Sequence, residues 1–302
     1  MAGSAPRRPS APARDARLFP RMRRLQTDDS SQMLRSKGDH EGDEMSQDFP
    51  SAKLPAMDRI HVWWFDLDSL GNEDTAPAAV LSAEELAHAA KFHFARDAAR
   101  YRLCRAMLRL GLGWYLSQNP RAIALRAGRF GKPYLASGAG LYFNVAHSAG
   151  LGAIAFSARG EVGVDVEAAR RTVEVMDIAS AHFTARETAL IAALAAPDQL
   201  KAFLRVWTRK EAVLKAVGCG IPNGLDQVDV TRDAVFFDGE AITPGDFGKS
   251  DWMVRDLVPM EGFAGAIAAS PGDWAVDSWH FSWEDARMRL LARFPDAFVI
   301  QP

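Results

Sequence analysis

Gly163-Val164-Asp165-Val166-Glu167 alternates apolar and acidic residues with the two-residue period of a β-strand. Val164 and Val166 are then expected in a core. Asp165 and Glu167 share the opposite face, with backbones about 6.5–7 Å apart. Two such carboxylates repel by about 3 kcal/mol at 5 Å and an effective dielectric near 20. The pair is at ease in open solvent, as on the wet face of an ordinary strand, or around a cation. A hard divalent ion such as Mg2+ takes carboxylate oxygens and completes its shell with substrate phosphates. Five residues leave both readings open.

About forty residues on, Lys201 to Gly218 (KAFLRVWTRKEAVLKAVG) has the period of a helix. At 100° per residue, Phe203, Val206, Trp207, Val213, Leu214 and Val217 fall within about 80° of one line, which is the buried face. Lys210 falls near its centre, Glu211 at its edge beside Leu204, and Lys215 one turn beyond Glu211. Charges on an apolar stripe need partners, because an unpaired buried charge is costly. An i,i+4 pair of Glu211 with Lys215 at the boundary would supply one. Alternatively, Glu211 completes a three-carboxylate metal site with Asp165 and Glu167, and the lysines face bound phosphate.

The strings GVDVE (163–167), FTARE (183–187) and WTRKEAVLKAVGCG (207–220), preceded by Gly131-Lys132-Pro133-Tyr134 and Phe143-Asn144-Val145-Ala146-His147-Ser148, stand in one order and spacing. Together they resemble the signature of the 4'-phosphopantetheinyl transferases of the large, monomeric, surfactin-synthetase-activating type, over roughly residues 58 to 285. The resemblance implies transfer of 4'-phosphopantetheine from coenzyme A to a serine of an acyl or peptidyl carrier protein, releasing adenosine 3',5'-bisphosphate. It implies Mg2+ as cofactor, with Asp165, Glu167 and Glu211 as metal ligands. Glu211, Lys215 and His147 are the implied catalytic residues: Glu211 takes the serine proton and Lys215 meets the leaving nucleotide. Lys132, Pro133, His147, Ser148 and Lys215 are implied to bind coenzyme A. Lys91, Arg96 and Arg100 are candidates for its 3'-phosphate, although Glu85 and His88 stand where family members often have lysines. Glu187 belongs to the motif too, yet Thr184 and Glu187 also form a T-x-x-E capping box that accounts for both without chemistry.

Around these motifs the chain divides into parts. Its 302 residues suffice for one large or two ordinary domains. At 48% hydrophobic and 25% charged it has the composition of a globular protein. A net charge of -2 provides no general basic field for nucleic acid and no reason for membrane adsorption. Cys104 and Cys219, with no C-x-x-C spacing, point to a reducing cytoplasm. No run is apolar enough to span a bilayer. Residues 1–57 lack apolar periodicity: the first 27 carry seven arginines against one acid, Asp15, and the next twenty are polar. A disordered extension is expected there, from a start codon placed upstream of Met57, where the strand Arg59–Phe65 opens.

A capping box at Ser82 and Glu85 opens a helix to about Phe92, and a second runs from about Arg96 to Leu116 before Asn119-Pro120. Gly128 to Pro133 is a turn carrying Lys132, not a phosphate-binding P-loop, which needs a longer spacing and a following Ser or Thr. By resemblance it lies near the adenine and ribose. Strands Leu141–Ala146, Leu151–Ser157 and Glu161–Glu167 are expected to form a β-meander. Helices follow near Val173–Ala181 and Thr184–Ala195. After Gly218 come strands at Val228–Val230, Val235–Phe237, Trp252–Leu257, Phe263–Ala269 and Trp274–Phe281, then an amphipathic helix. This order predicts an α+β fold of two halves, 58–160 and 161–302. The resemblance makes them similar α/β halves in pseudo-twofold arrangement, with the active site in the cleft between. The competing functions are a module that only binds coenzyme A or a carrier, and a Mg2+-dependent nuclease, which would need a basic groove this charge balance does not support.

Overall fold

A computed structural model describes residues 49–71, 74–169, 174–218, 225–238 and 249–298. In chain order its elements are β1 (Arg59–Asp66), α1 (Ala83–Ala89), α2 (Ala95–Leu116), β2 (Leu125–Ala127), β3 (Pro133–Leu135), β4 (Tyr142–Ser148), β5 (Leu151–Ser157) and β6 (Val162–Ala168). There follow α3 (Val175–His182), α4 (Ala185–Ala192), α5 (Ala196–Val217), β7 (Ala234–Asp238), β8 (Lys249–Leu257), β9 (Phe263–Ala269), β10 (Ala275–Phe281) and α6 (Trp283–Leu291). Local chemistry sets the ends. Ser82 and Thr184 make the expected capping boxes, with Glu85 and Glu187 reaching back to the cap backbone. Gly218 ends α5 at φ 83°, the left-handed conformation that glycine adopts without strain.

Among the described residues, one sheet has the order β10-β1-β5-β4 and a second the order β6-β9-β8-β7, with β2 and β3 a separate hairpin. The sheets pack face to face: Val62, Trp64, Ala153 and Ala155 from the first meet Val164, Val166 and Ile267 from the second. Each outer face is covered by a long helix. Met107, Leu108 and Leu110 of α2 cover Trp63, Phe65 and Phe156. Ala212, Val213 and Ala216 of α5 cover Trp252, Val254, Ala266 and Ala268. Each large apolar side chain buried this way contributes about 1.5–3 kcal/mol. The result is an α+β architecture of two sheets, each with its own helix. No described helix is long and apolar enough to cross a membrane.

Four expectations need adjusting. The β-meander stops after two strands: β4 pairs with β5, but β6 pairs antiparallel with β9, Asp165 beside Ala266. Gly160, at φ 144°, turns the chain out of the first sheet. The valines of β6 then cover that sheet's face instead of extending its edge. Val228–Val230 is not a strand, because its backbone groups serve side chains: Lys210 donates to Val228 O and Val230 N donates to Glu187 Oε1. The halves are not contiguous in sequence either. β10 returns to lie parallel to β1, Trp63 beside Trp279, and Trp283 and Leu290 of α6 join the core under α2. Of the extension expected over 1–57, residues 1–48 lie outside the described residues. Residues 49–57 are described and not all loose, since Phe49 packs on Trp63, Trp114 and Phe281, and Trp114 Nε1 donates to Pro50 O at 2.9 Å.

Candidate active site

The second sheet and α5 meet most closely where β6 crosses the helix at Gly163. A Cβ there would stand 2.0 Å from the Ala212 carbonyl oxygen and 2.4 Å from Ala216 N, so only glycine permits this approach. With backbones touching, side chains two residues along β6 and one turn back along α5 converge. Lys215 Nζ donates to Asp165 Oδ1 at 2.6 Å. Asp165 and Glu211 are almost wholly buried, at 4% and 3% exposure. Asp165 Oδ2 and Glu211 Oε1 are buried without a hydrogen-bond partner. Such orphaned carboxylate oxygens are rare, and they mark a place built to receive something.

The electrostatics agree. Burial, and then repulsion from Asp165 and Glu167, pushes the Glu211 carboxyl up to about 7 against the pull of Lys215. Burial also raises Asp165, opposed by Lys215. For Lys215 burial works downward, but attraction to Asp165, Glu211 and Glu167 outweighs it and the net shift is upward, so the ammonium stays charged. Three acids thus share one lysine. A further positive charge would relieve the mutual repulsion of the carboxylates.

Glu167 lies next along the same face of β6 and accepts from Ser148 Oγ at 2.7 Å, while Ser148 Oγ accepts from Ala168 N at 3.2 Å. Ser148 ends β4, so this pair joins the tip of the first sheet to the second. Asn144, buried on β4, adds a second tie by accepting from Val164 N at 3.0 Å. Its role was not singled out from the sequence. The signals for it are its place in the string Phe143–Ser148 and a polar residue on the buried face of a short apolar strand.

His147, exposed at the end of β4, is lowered by the protein packed about its ring and then by the cations Lys215 and Arg100. Those two cations therefore lie within electrostatic reach of it. Arg100 is held on α2 by Asp68, its Nε donating to Oδ1 at 2.7 Å. Lys91, just beyond α1, and Arg96, in the first turn of α2, are exposed. Pro133 opens β3 beside Tyr134, but the Lys132 ammonium turns inward: it donates to Glu161 Oε2 at 2.5 Å, Ala216 O at 3.1 Å and Val162 O at 3.2 Å.

Glu187 and Lys210 belong elsewhere. Glu187, fully buried, pairs with the equally buried Lys210 at 2.7 Å and also accepts from Thr184 N and Val230 N. Lys210 donates to Leu225 O at 2.6 Å and lies over the Phe183 ring. Lys210 therefore faces carbonyls and a carboxylate rather than a phosphate, and Glu187 is occupied by its cap and by Lys210. Among the described residues no group of three or more His, Cys, Asp or Glu side chains is drawn together as a metal cage.

Comparison with known proteins shows the family. The profile of the 4'-phosphopantetheinyl transferase superfamily matches residues 161–250, the stretch holding β6 and α5. The chain is 32% identical over 231 residues to the 4'-phosphopantetheinyl transferase HetI of Nostoc sp., spanning 74% of this chain and 93% of that protein. It is 23% identical over 227 residues to the 4'-phosphopantetheinyl transferase Sfp of Bacillus subtilis, spanning 75% of this chain and 99% of Sfp. A shorter match, 43% over 91 residues, is to the 4'-phosphopantetheinyl transferase AcpT of Salmonella typhimurium, of which it spans 47%.

Proposed function

The chain belongs to the 4'-phosphopantetheinyl transferase superfamily and transfers 4'-phosphopantetheine to carrier proteins, and we propose that the carboxylate site where β6 meets α5 is where it does so, with coenzyme A as donor. The observation that carries this is the pair of buried, unpartnered oxygens, Asp165 Oδ2 and Glu211 Oε1, beside Lys215. Two hard oxygens and an excess of negative charge fit a divalent cation of the Mg2+ type. Asp165, Glu211 and Glu167 would hold it. A divalent cation held by these residues would supply charge neutralisation on the diphosphate and polarisation of the phosphorus.

The chain's own residues account for the rest. Glu211, buried with its Oε1 unpartnered beside the Asp165–Lys215 pair, is the general base for the carrier's serine hydroxyl. Attack at the β-phosphorus forms the new P–O bond and breaks the bond to the oxygen bridging the two phosphates. The leaving group is adenosine 3',5'-bisphosphate. Lys215, one helical turn from Glu211 and held charged by its acidic neighbours, stabilises the departing phosphate. His147 and Arg100 line the side toward the nucleotide, with Pro133 and exposed Lys91 as further contacts. Ser148 holds Glu167 in place. The burial of Asp165 and Glu211 strengthens the interactions made by their carboxylates.

The experiment is turnover of an apo acyl carrier protein by Asp165→Ala and Glu211→Ala, followed by intact mass. Both variants are expected to fold, since each loses a carboxylate that is uncomfortable in the native state, and both to lose turnover. Full activity in either would remove the assignment.

A further inference from the structure

Lys132 stands on the hairpin turn between β2 and β3, yet its ammonium reaches the seam where α5 ends against β6. Its three partners come from two different elements and the residue between sheets: Ala216 O from the last turn of α5, Val162 O from the first residue of β6, and Glu161 just before it. The last carbonyls of a helix have no partner within the helix, so a cation there satisfies one of them and opposes the helix dipole. Ala216 is also the residue whose backbone lies against Gly163, and it follows Lys215 directly. The stem of Lys132 passes beside Gly218, which caps the helix.

From this placement we propose that Lys132 is a positioning residue: its ammonium clamps the C-terminal turn of α5 onto the start of β6, and so fixes Lys215 and Glu211 relative to Asp165. This rests on the assignment of the carboxylate site as the reacting centre. Because the turn carrying Lys132 borders the shallow hollow formed by Pro133, Tyr134, Leu135, Tyr142 and Phe143, the clamp also ties that turn to the carboxylates. A ligand lying along the turn would thereby steady the centre. With its ammonium spent on two carbonyls and Glu161, Lys132 contributes orientation rather than a contact to the transferred phosphate.

The test is steady-state kinetics on Lys132→Met, Lys132→Arg and Glu161→Gln, with coenzyme A affinity measured separately by calorimetry. Lys132→Met is expected to lower kcat by about 10- to 100-fold, the penalty of a displacement near 1 Å, while KM and Kd for coenzyme A move by less than about threefold. Lys132→Arg keeps the charge and donors and is expected to recover most of that loss. Glu161→Gln leaves the carbonyl contacts and should cost about two- to fivefold in kcat; it also serves if Lys132→Met does not fold. A weakened coenzyme A Kd at unchanged kcat would make Lys132 a nucleotide ligand and overturn the proposal. So would a lowered Tm with unchanged kcat, which would leave only a structural role. If Asp165→Ala is inactive and Lys132→Met has full kcat, only the clamp fails; if Asp165→Ala is active, the centre itself has been misassigned and the clamp falls with it.

Discussion

Gly163→Ala adds one methyl group, and the structure says where it goes. The new carbon would stand 2.0 Å from the Ala212 carbonyl oxygen and 2.4 Å from Ala216 N, against an ordinary contact of at least 3.4 Å. Both obstacles are backbone atoms of a packed helix, so no side chain can swing aside. Strand and helix must part by about 1 Å or more. Overpacking on this scale costs about 1–3 kcal/mol, or roughly 2–12 °C in Tm for a protein of this size. The effect on rate is larger in proportion. The parted elements carry Asp165 on one side and Glu211 and Lys215 on the other, so the 2.6 Å Lys215–Asp165 contact opens. A misplacement near 1 Å in a reacting centre costs about 100-fold in kcat. Thermal unfolding and carrier turnover on the same preparation separate the two effects. A folded Gly163→Ala protein with wild-type kcat would refute the claim that this crossing sets the centre.

Two further outcomes concern stability. His61, whose Nδ1 lies 2.8 Å from Tyr115 Oη, is lowered to about 4, first by burial and then by Arg59, against the opposing pull of Asp277. The unfolded chain binds its proton first, near pH 6.5, so the contribution is whole above that value and is lost as pH falls toward 4. The loss is on the order of 3 kcal/mol. Urea midpoints at pH 7 and 4.5 should therefore converge in His61→Gln relative to the parent, and equal pH slopes would contradict this. Lys210→Met strands the fully buried Glu187 and removes the donor serving Leu225 O. It should cost about 3–5 kcal/mol by urea denaturation, and a loss under about 1 kcal/mol would show that Glu187 is satisfied without it.

How much of this could be read from the residues differs from place to place. Alternation along 163–167 placed Val164 and Val166 in the core correctly, because the period of a strand is local. It could not say which sheet β6 joins, since a strand covered on both faces has no wet side to orient it. The helical wheel of α5 located Lys210 in an apolar face, where it lies, and thus flagged a charge in need of partners. The partners, Leu225 O, Val228 O and Glu187, come from two distant segments that periodicity cannot bring together. Glu187 is intermediate: its capping box was legible and explains the bond from Thr184 N, but not the one from distant Val230 N. Gly163 carries no comparable signal, because close backbone approach leaves no mark in sequence beyond the glycine itself. For Lys132 the residues alone show only a turn with a lysine, and its place near the nucleotide is what the resemblance implies. Its inward course depends on where α5 ends in space.

The most direct measurement is the intact mass of an apo acyl carrier protein after incubation with this protein, coenzyme A and Mg2+, run in parallel with EDTA. The expected result is a gain of one phosphopantetheine that EDTA abolishes and excess Mg2+ restores, as a centre of repelling carboxylates requires. The same gain in EDTA, or none on several apo carriers from a folded protein, would contradict it.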